Sequence, residues 1–136
     1  MLRHHRLALL GLGLALGLAG CAAANGASSP LANSAWRIAS IDGSVALSDN
    51  ARLAMAGERL SATAGCNTLG GTWRTEGGRL LAGQLLSTQM YCVPPRLMEQ
   101  ERALATLLSS APQFHVEGDM LQLRSGGHAA QLRRER

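Results

Sequence analysis

The chain contains no lysine; all 13 of its basic side chains are arginine. A Walker-type phosphate loop needs a lysine to reach the phosphates. Gly65-Cys66-Asn67-Thr68-Leu69-Gly70-Gly71-Thr72 comes within one residue of that pattern, with Gly71 in the lysine's place. Nucleotide hydrolysis by that loop is therefore excluded, and the glycines read as turn formers. Aromatic residues are scarce, with one Phe, one Tyr and two Trp. Without a basic stripe interleaved with aromatics, nucleic acid is excluded as a partner. No Gly-x-Ser-x-Gly elbow occurs, and Glu99 and Glu101 point to different sides of a helix, so they make no glycosidase pair.

What is present begins with Met-Leu-Arg-His-His-Arg, followed by apolar residues from Leu7 to Ala19 interrupted only by glycine. A charged start before a short apolar run is a signal peptide, and the run falls short of the roughly 20 residues that span a bilayer. Leu18-Ala19-Gly20-Cys21 resembles a bacterial lipobox, which implies cleavage before Cys21 and acylation of that cysteine. Several acyl chains give stable anchoring where one does not. Ala22, where an Asp would favour retention, implies the outer membrane by resemblance to Gram-negative lipoproteins.

Of the 136 residues, 20 leave with the signal and 116 remain, enough for one domain. Residues 21–33, rich in Ala, Ser, Asn and Gly, read as a flexible tether of about 20 Å, and the domain is expected over 34–134. The formal charge of +4 falls to about +2 when Arg3 and Arg6 leave. Arg133, Arg134 and Arg136 crowd the end. They read as a solvated tail, against the alternative of touching anionic lipid head groups.

From Ala35 onward, short apolar runs at two-residue spacing alternate with Gly, Asp, Asn and Ser, the pattern of an antiparallel sheet with one buried face. Trp36, Ile38 and Ser40 are placed on one face of a first strand, and hairpins are expected around Gly57, Gly77-Gly78, Gly118 and Gly126-Gly127. Leu86, Thr88, Met90 and Cys92 are assigned one side of a further strand. About nine short strands imply a strongly curved sheet or partial barrel. One helix, from about Pro94 to Ser109, follows the two prolines that suit its first turn. The fold class is therefore α+β: a mainly antiparallel, strongly curved sheet with one helix packed on it. Leu97, Leu104 and Leu108 form the helix's apolar stripe, and Glu101 falls inside it. A carboxylate there needs partners. Arg74 and backbone N–H groups of the Gly65–Gly71 turn are the candidates, the alternative being a rotated helix that leaves Glu101 in water.

Gly65-Cys66-Asn67, then Gly71-Thr72-Trp73, then Ser87-Thr88-Gln89-Met90-Tyr91-Cys92, then Met98 and Glu101 ahead of Leu104, resemble the META domain of HslJ-like bacterial envelope proteins. The likeness runs from about Trp36 to Leu132. It makes Gly65, Cys66, Asn67, Gly71, Thr88, Met90, Cys92 and Glu101 the family motif. It implies a compact antiparallel β-fold with a helix, no established catalytic reaction, and a loose association with envelope stress, drug tolerance and secretion.

Cys66 and Cys92 are the thiols left once Cys21 is acylated, and an oxidising periplasm favours a disulfide between them. Three rivals stand beside it. Both cysteines are buried and reduced, Cys66 is a nucleophile assisted by His115 or His128, or Cys66, Cys92, His115 and His128 hold zinc. The last two lack an orienting group and a close ligand pair, so neither a metal nor a cofactor is expected. His115, between Phe114 and Val116, reads as a solvated surface residue. The expectation is a monomeric, non-enzymatic, lipid-anchored envelope protein. Its partners are the membrane, through Cys21, and an unknown envelope protein or small ligand. A lipoprotein inhibitor of lysozyme type is the alternative, and a thiol-dependent enzyme ranks behind it.

Overall fold

Alternation of buried and exposed positions, together with glycine-bearing turns, produces ten strands and one helix in a computed structural model that describes residues 28–136. The strands are β1 (Ser34–Ile41), β2 (Ser44–Val45), β3 (Arg52–Ala56), β4 (Arg59–Thr63), β5 (Thr68–Glu76), β6 (Arg79–Ala82), β7 (Leu86–Ser87), β8 (Gln113–Glu117), β9 (Met120–Ser125) and β10 (His128–Arg134); the helix is α1 (Pro95–Ser109). The signal peptide, Cys21 and most of the tether lie outside the described residues.

All strand pairings are antiparallel, and the sheet closes on itself. Eight strands run β1-β3-β4-β5-β6-β8-β9-β10, and β10 returns to pair with β1 through Trp36↔Arg134 and Ile38↔Leu132. Closure abolishes the two edges that an open curved sheet would expose. Its narrowest seam joins β6 to β8, where Arg79↔Gln113 is the single paired position. Backbone bonds from Leu80 to Pro112 (2.8 Å) and from Phe114 to Gly78 (3.0 Å) reinforce it. The short β2 and β7 extend off β1 and β5.

Inward residues of successive strands fill the barrel: Trp36 and Ile38, Leu53 and Met55, Leu60, Leu80, Leu121 and Leu123, and Leu132. Leu97, Leu104, Leu107 and Leu108 of α1 join them in one core. The hairpins fall where the sequence placed them, because each is set by neighbours a few residues apart.

Several expectations are corrected. Ser40 does not continue the face of Trp36 and Ile38; the register against β10 shifts between Ile38 and Ser40, and Ile41 turns inward instead. Such a bulge reverses the alternation after it. The domain also begins before Ser34. Leu31 is fully buried, Ser34 Oγ donates to its carbonyl (2.6 Å), and Asn33 Oδ1 accepts from Gly57 N–H (3.0 Å), so the last residues of the expected tether belong to the barrel. The arginine-rich end is not a loose tail. Arg133 and Arg134 are in β10, and Arg134 lies 4.2 Å from the centre of the Trp36 ring. Glu135 N–H donates to Ala35 (2.8 Å), and Arg136 pairs with Asp119 (2.7 Å). Finally, only Leu86 and Ser87 of the expected Leu86–Cys92 strand form a ladder. Leu86 and Met90 face solvent. Within residues 28–136 the hydrogen-bonded ring closes and encloses one continuous core of buried residues, which gives this span what it needs to fold by itself.

Candidate functional site

The turn between β4 and β5 brings the motif together. At Gly65 the backbone takes φ +128°, and a Cβ there would fall 2.2 Å from that of Ser48, so only glycine fits. Cys66 follows and is bonded to Cys92, with Cα atoms 6.0 Å apart. The disulfide expectation holds.

Asn67, 6% exposed, is the hub. Its Oδ1 accepts from Met90 N–H (2.7 Å) and Thr88 Oγ1 (2.9 Å). Its Nδ2 donates to the Met90 carbonyl and to Glu101 Oε2, both at 3.0 Å. One side-chain amide thus satisfies both backbone groups of Met90, as a neighbouring strand would. Those bonds take the place of ladder bonds for Met90 in the stretch from Thr88 to Cys92. The backbone N–H of Asn67 donates to Glu101 Oε1. Glu101 is therefore held by the turn, the second of the two candidates; Arg74 pairs with Glu76 instead (3.1 Å). Thr88 completes the lock, exchanging bonds with Thr68.

Gly71 serves by close approach. β5 pairs with β6 beyond it and with β7 before it, and the chain crosses between the two at Gln84 and Leu85. A Cβ on Gly71 would meet the Gln84 carbonyl and Leu85 Cδ2 at 3.1 Å. Of the glycines in the near-match to a phosphate loop, Gly65 alone is the turn former expected; Gly70 and Gly71 lie within the strand β5, and no helix follows them.

Sequence reasoning missed Gln100. Buried on the helix, it does for β2 what Asn67 does for Met90: Nε2 donates to Val45 (2.9 Å) and Oε1 accepts from Leu47 N–H (3.0 Å). Its place three residues after Leu97 and four before Leu104, inside the apolar stripe, was the available signal. The zinc set is not assembled. Among the described residues His128 Nδ1 lies 2.8 Å from Asp42, and His115, 70% exposed, lies 3.7 Å from Glu117. The group beside the cysteines is Glu101, and sulfurs joined to each other have no thiolate to offer. Burial raises the Asp42 carboxyl, but the Ala129 N–H and His128 outweigh it, leaving it below the ordinary 3.8.

Beside this network a groove of about 410 Å³ opens between α1 and the chain from Ser87 to Tyr91. Leu69, Leu104 and Met98 give it an apolar floor and wall, Asn67 and Glu101 a polar end, and Arg102 a charged rim. Met90 (55% exposed) and Tyr91 (84%) stand at its mouth. Its volume and mixed lining are those of a small-ligand or side-chain pocket.

An eight-stranded antiparallel barrel with one helix, a disulfide-tied turn and a groove beside it defines the class of protein. The chain matches the META domain model over residues 29–136 and belongs to that family. Two solved structures share the fold. One, an NMR structure, is 22% identical with a TM-score of 0.68, covering 76% of this chain and 90% of its own. The other, an NMR structure of a protein from Burkholderia xenovorans, is 22% identical with a TM-score of 0.64, covering 77% and 83%. No curated protein matches the chain.

Proposed function

We propose that this chain is a lipid-anchored protein of the bacterial envelope whose META domain works by binding, not by catalysis. In this reading Cys21 carries the lipid, the barrel faces the periplasm from the outer membrane, and the groove beside α1 receives an envelope protein or small ligand whose retention supports the envelope under stress. The observation that carries the binding reading is the pairing of a rigid floor with an apolar mouth. Asn67, Glu101 and the disulfide fix the walls, while Met90 and Tyr91 are held out in water, where large apolar side chains are costly unless they meet a partner. Against a thiol enzyme stands the bond between Cys66 and Cys92, which leaves neither sulfur as a nucleophile.

The test is a photo-crosslinking residue placed at Tyr91 in the full-length protein in bacterial cells. It is expected to capture one stable envelope component, and Met90→Ala together with Met98→Ala to abolish the capture. Mass spectrometry of the mature chain is expected to show an acylated Cys21. A correctly processed protein that captures nothing above background would overturn the binding reading.

A further inference from the structure

The outer face of the barrel carries an arrangement that folding alone does not favour. Arg37 of β1 pairs directly with Arg133 of β10 on one side and with Arg52 of β3 on the other. The three arginines therefore form a row across three adjacent strands, all pointing outward and all exposed. Directly opposed residues on paired strands lie about 5 Å apart, so the row spans about 10 Å. Like charges so placed repel. One carboxylate serves the row: Glu135 lies 2.6 Å from Arg52 and 3.8 Å from Arg37. Arg133 makes no ion pair among the described residues. The 11 arginines against 9 acids over residues 28–136 leave a small net charge, so the row is a local concentration, not the reflection of a uniformly basic surface.

We propose that the Arg133–Arg37–Arg52 row is a docking surface for an anionic lipid bilayer, on which the barrel lies with the outer face of β10, β1 and β3 against the head groups. Charge complementarity identifies the occupant. Three guanidinium groups in a line present paired N–H donors to phosphodiesters, and a planar array of phosphates meets all three at once. The chain's path supports the same occupant. Six residues separate Cys21 from Ser28, seven Cα steps with a reach of at most about 25 Å, and Arg37 lies three residues into β1. This orientation rests on the lipid-anchor reading above. With that anchor the surface acts as a second attachment, holding the barrel in one pose instead of letting it swing.

The experiment uses the barrel without its anchor, residues 28–136, mixed with vesicles of phosphatidylcholine alone or of phosphatidylcholine with phosphatidylglycerol. Sedimentation is expected to show binding to the anionic vesicles only. Raising salt from about 0.1 M to about 1 M, which shortens the screening length from about 10 Å to about 3 Å, is expected to release it. The triple variant Arg37→Gln/Arg52→Gln/Arg133→Gln is expected to bind at least about tenfold more weakly, at about fivefold per arginine near the surface less the share Glu135 already neutralises. Glu135→Gln is expected to bind more tightly. The equally charged control Arg74→Gln/Arg96→Gln/Arg124→Gln is expected to bind as the parent does.

Equal losses in the two triple variants would overturn the proposal, since net charge alone would then account for binding. So would displacement by inorganic phosphate at concentrations that leave the ionic strength unchanged, which would make the row a site for the free anion. Circular dichroism of each variant confirms that a loss is not unfolding. Because the anchor is absent from this measurement, an unmodified Cys21 in the mature chain would sink the anchor reading without touching this result.

Discussion

Two regions of the barrel are held in different ways. From β8 through β10 and β1 to β5 the wall is a backbone ladder, four or more registered pairs at most of its seams, with side chains free to fill the core. From Leu86 to Pro94 the chain has two ladder positions and then none. It is held by Asn67, by the Cys66–Cys92 bond and, through Glu101, by α1. Distributing the load over a ladder makes any one residue dispensable. Concentrating it in four side chains makes each of them indispensable, and it leaves Met90 and Tyr91 free to face outward.

The largest effect is expected from breaking the covalent tie. Cys66→Ser/Cys92→Ser is expected to lower stability by about 3–4 kcal/mol, the chain-entropy value for residues 26 apart, read by urea denaturation. Asn67→Ala removes both partners of Met90 and a donor to Glu101, so a loss of about 2–4 kcal/mol is expected. Hydrogen exchange sharpens the contrast. In Asn67→Ala, protection should vanish at Met90, whose N–H loses its acceptor, while the amides of β9 and β10 keep theirs; uniform loss would mean that the two regions are one cooperative unit.

Glu101→Ala is expected to cost about 1–3 kcal/mol, because the Asn67 N–H is left facing a gap. An unchanged melting temperature would contradict the role given to Glu101. On the wall side, the Asp42 carboxyl sits below its ordinary 3.8 when folded. Its contribution is therefore present at neutral pH and is lost as pH falls below that value through the lower folded one. Asp42→Asn is expected to flatten this acid limb in denaturation curves taken between about pH 5 and pH 3. The smallest effect on stability, within about 0.5 kcal/mol, is expected at Tyr91→Ala, which touches the groove's mouth and not its frame.

The split between the two regions is also the split in what could be read beforehand. The hairpins around Gly57, Gly77-Gly78 and Gly126-Gly127 were legible because a turn and its flanking alternation involve a dozen contiguous residues. The same rule failed from Thr88 to Cys92. Alternation there suggested a ladder, yet the partner is a side chain 23 residues from Met90. It failed again at Ser40, where a bulge against β10 reversed the faces, because β10 is remote in sequence. At Glu101 the helical period left two readings open, a carboxylate with partners or a rotated helix with the group in water; the fold decided for the first, with a half-buried carboxylate bonded to Asn67.

The sequence by itself determined the motif residues, the curved antiparallel sheet, the single helix and its apolar stripe, because periodicity, turn chemistry and burial cost are local or nearly so. Only the tertiary structure decided that the sheet closes completely, that Asn67 and Gln100 stand in for missing strands, that a groove opens beside α1, and that Arg133, Arg37 and Arg52 fall in line. Each of these depends on which distant strands become neighbours, and pairing across that distance is set by the best overall closure of the core and not by any one segment.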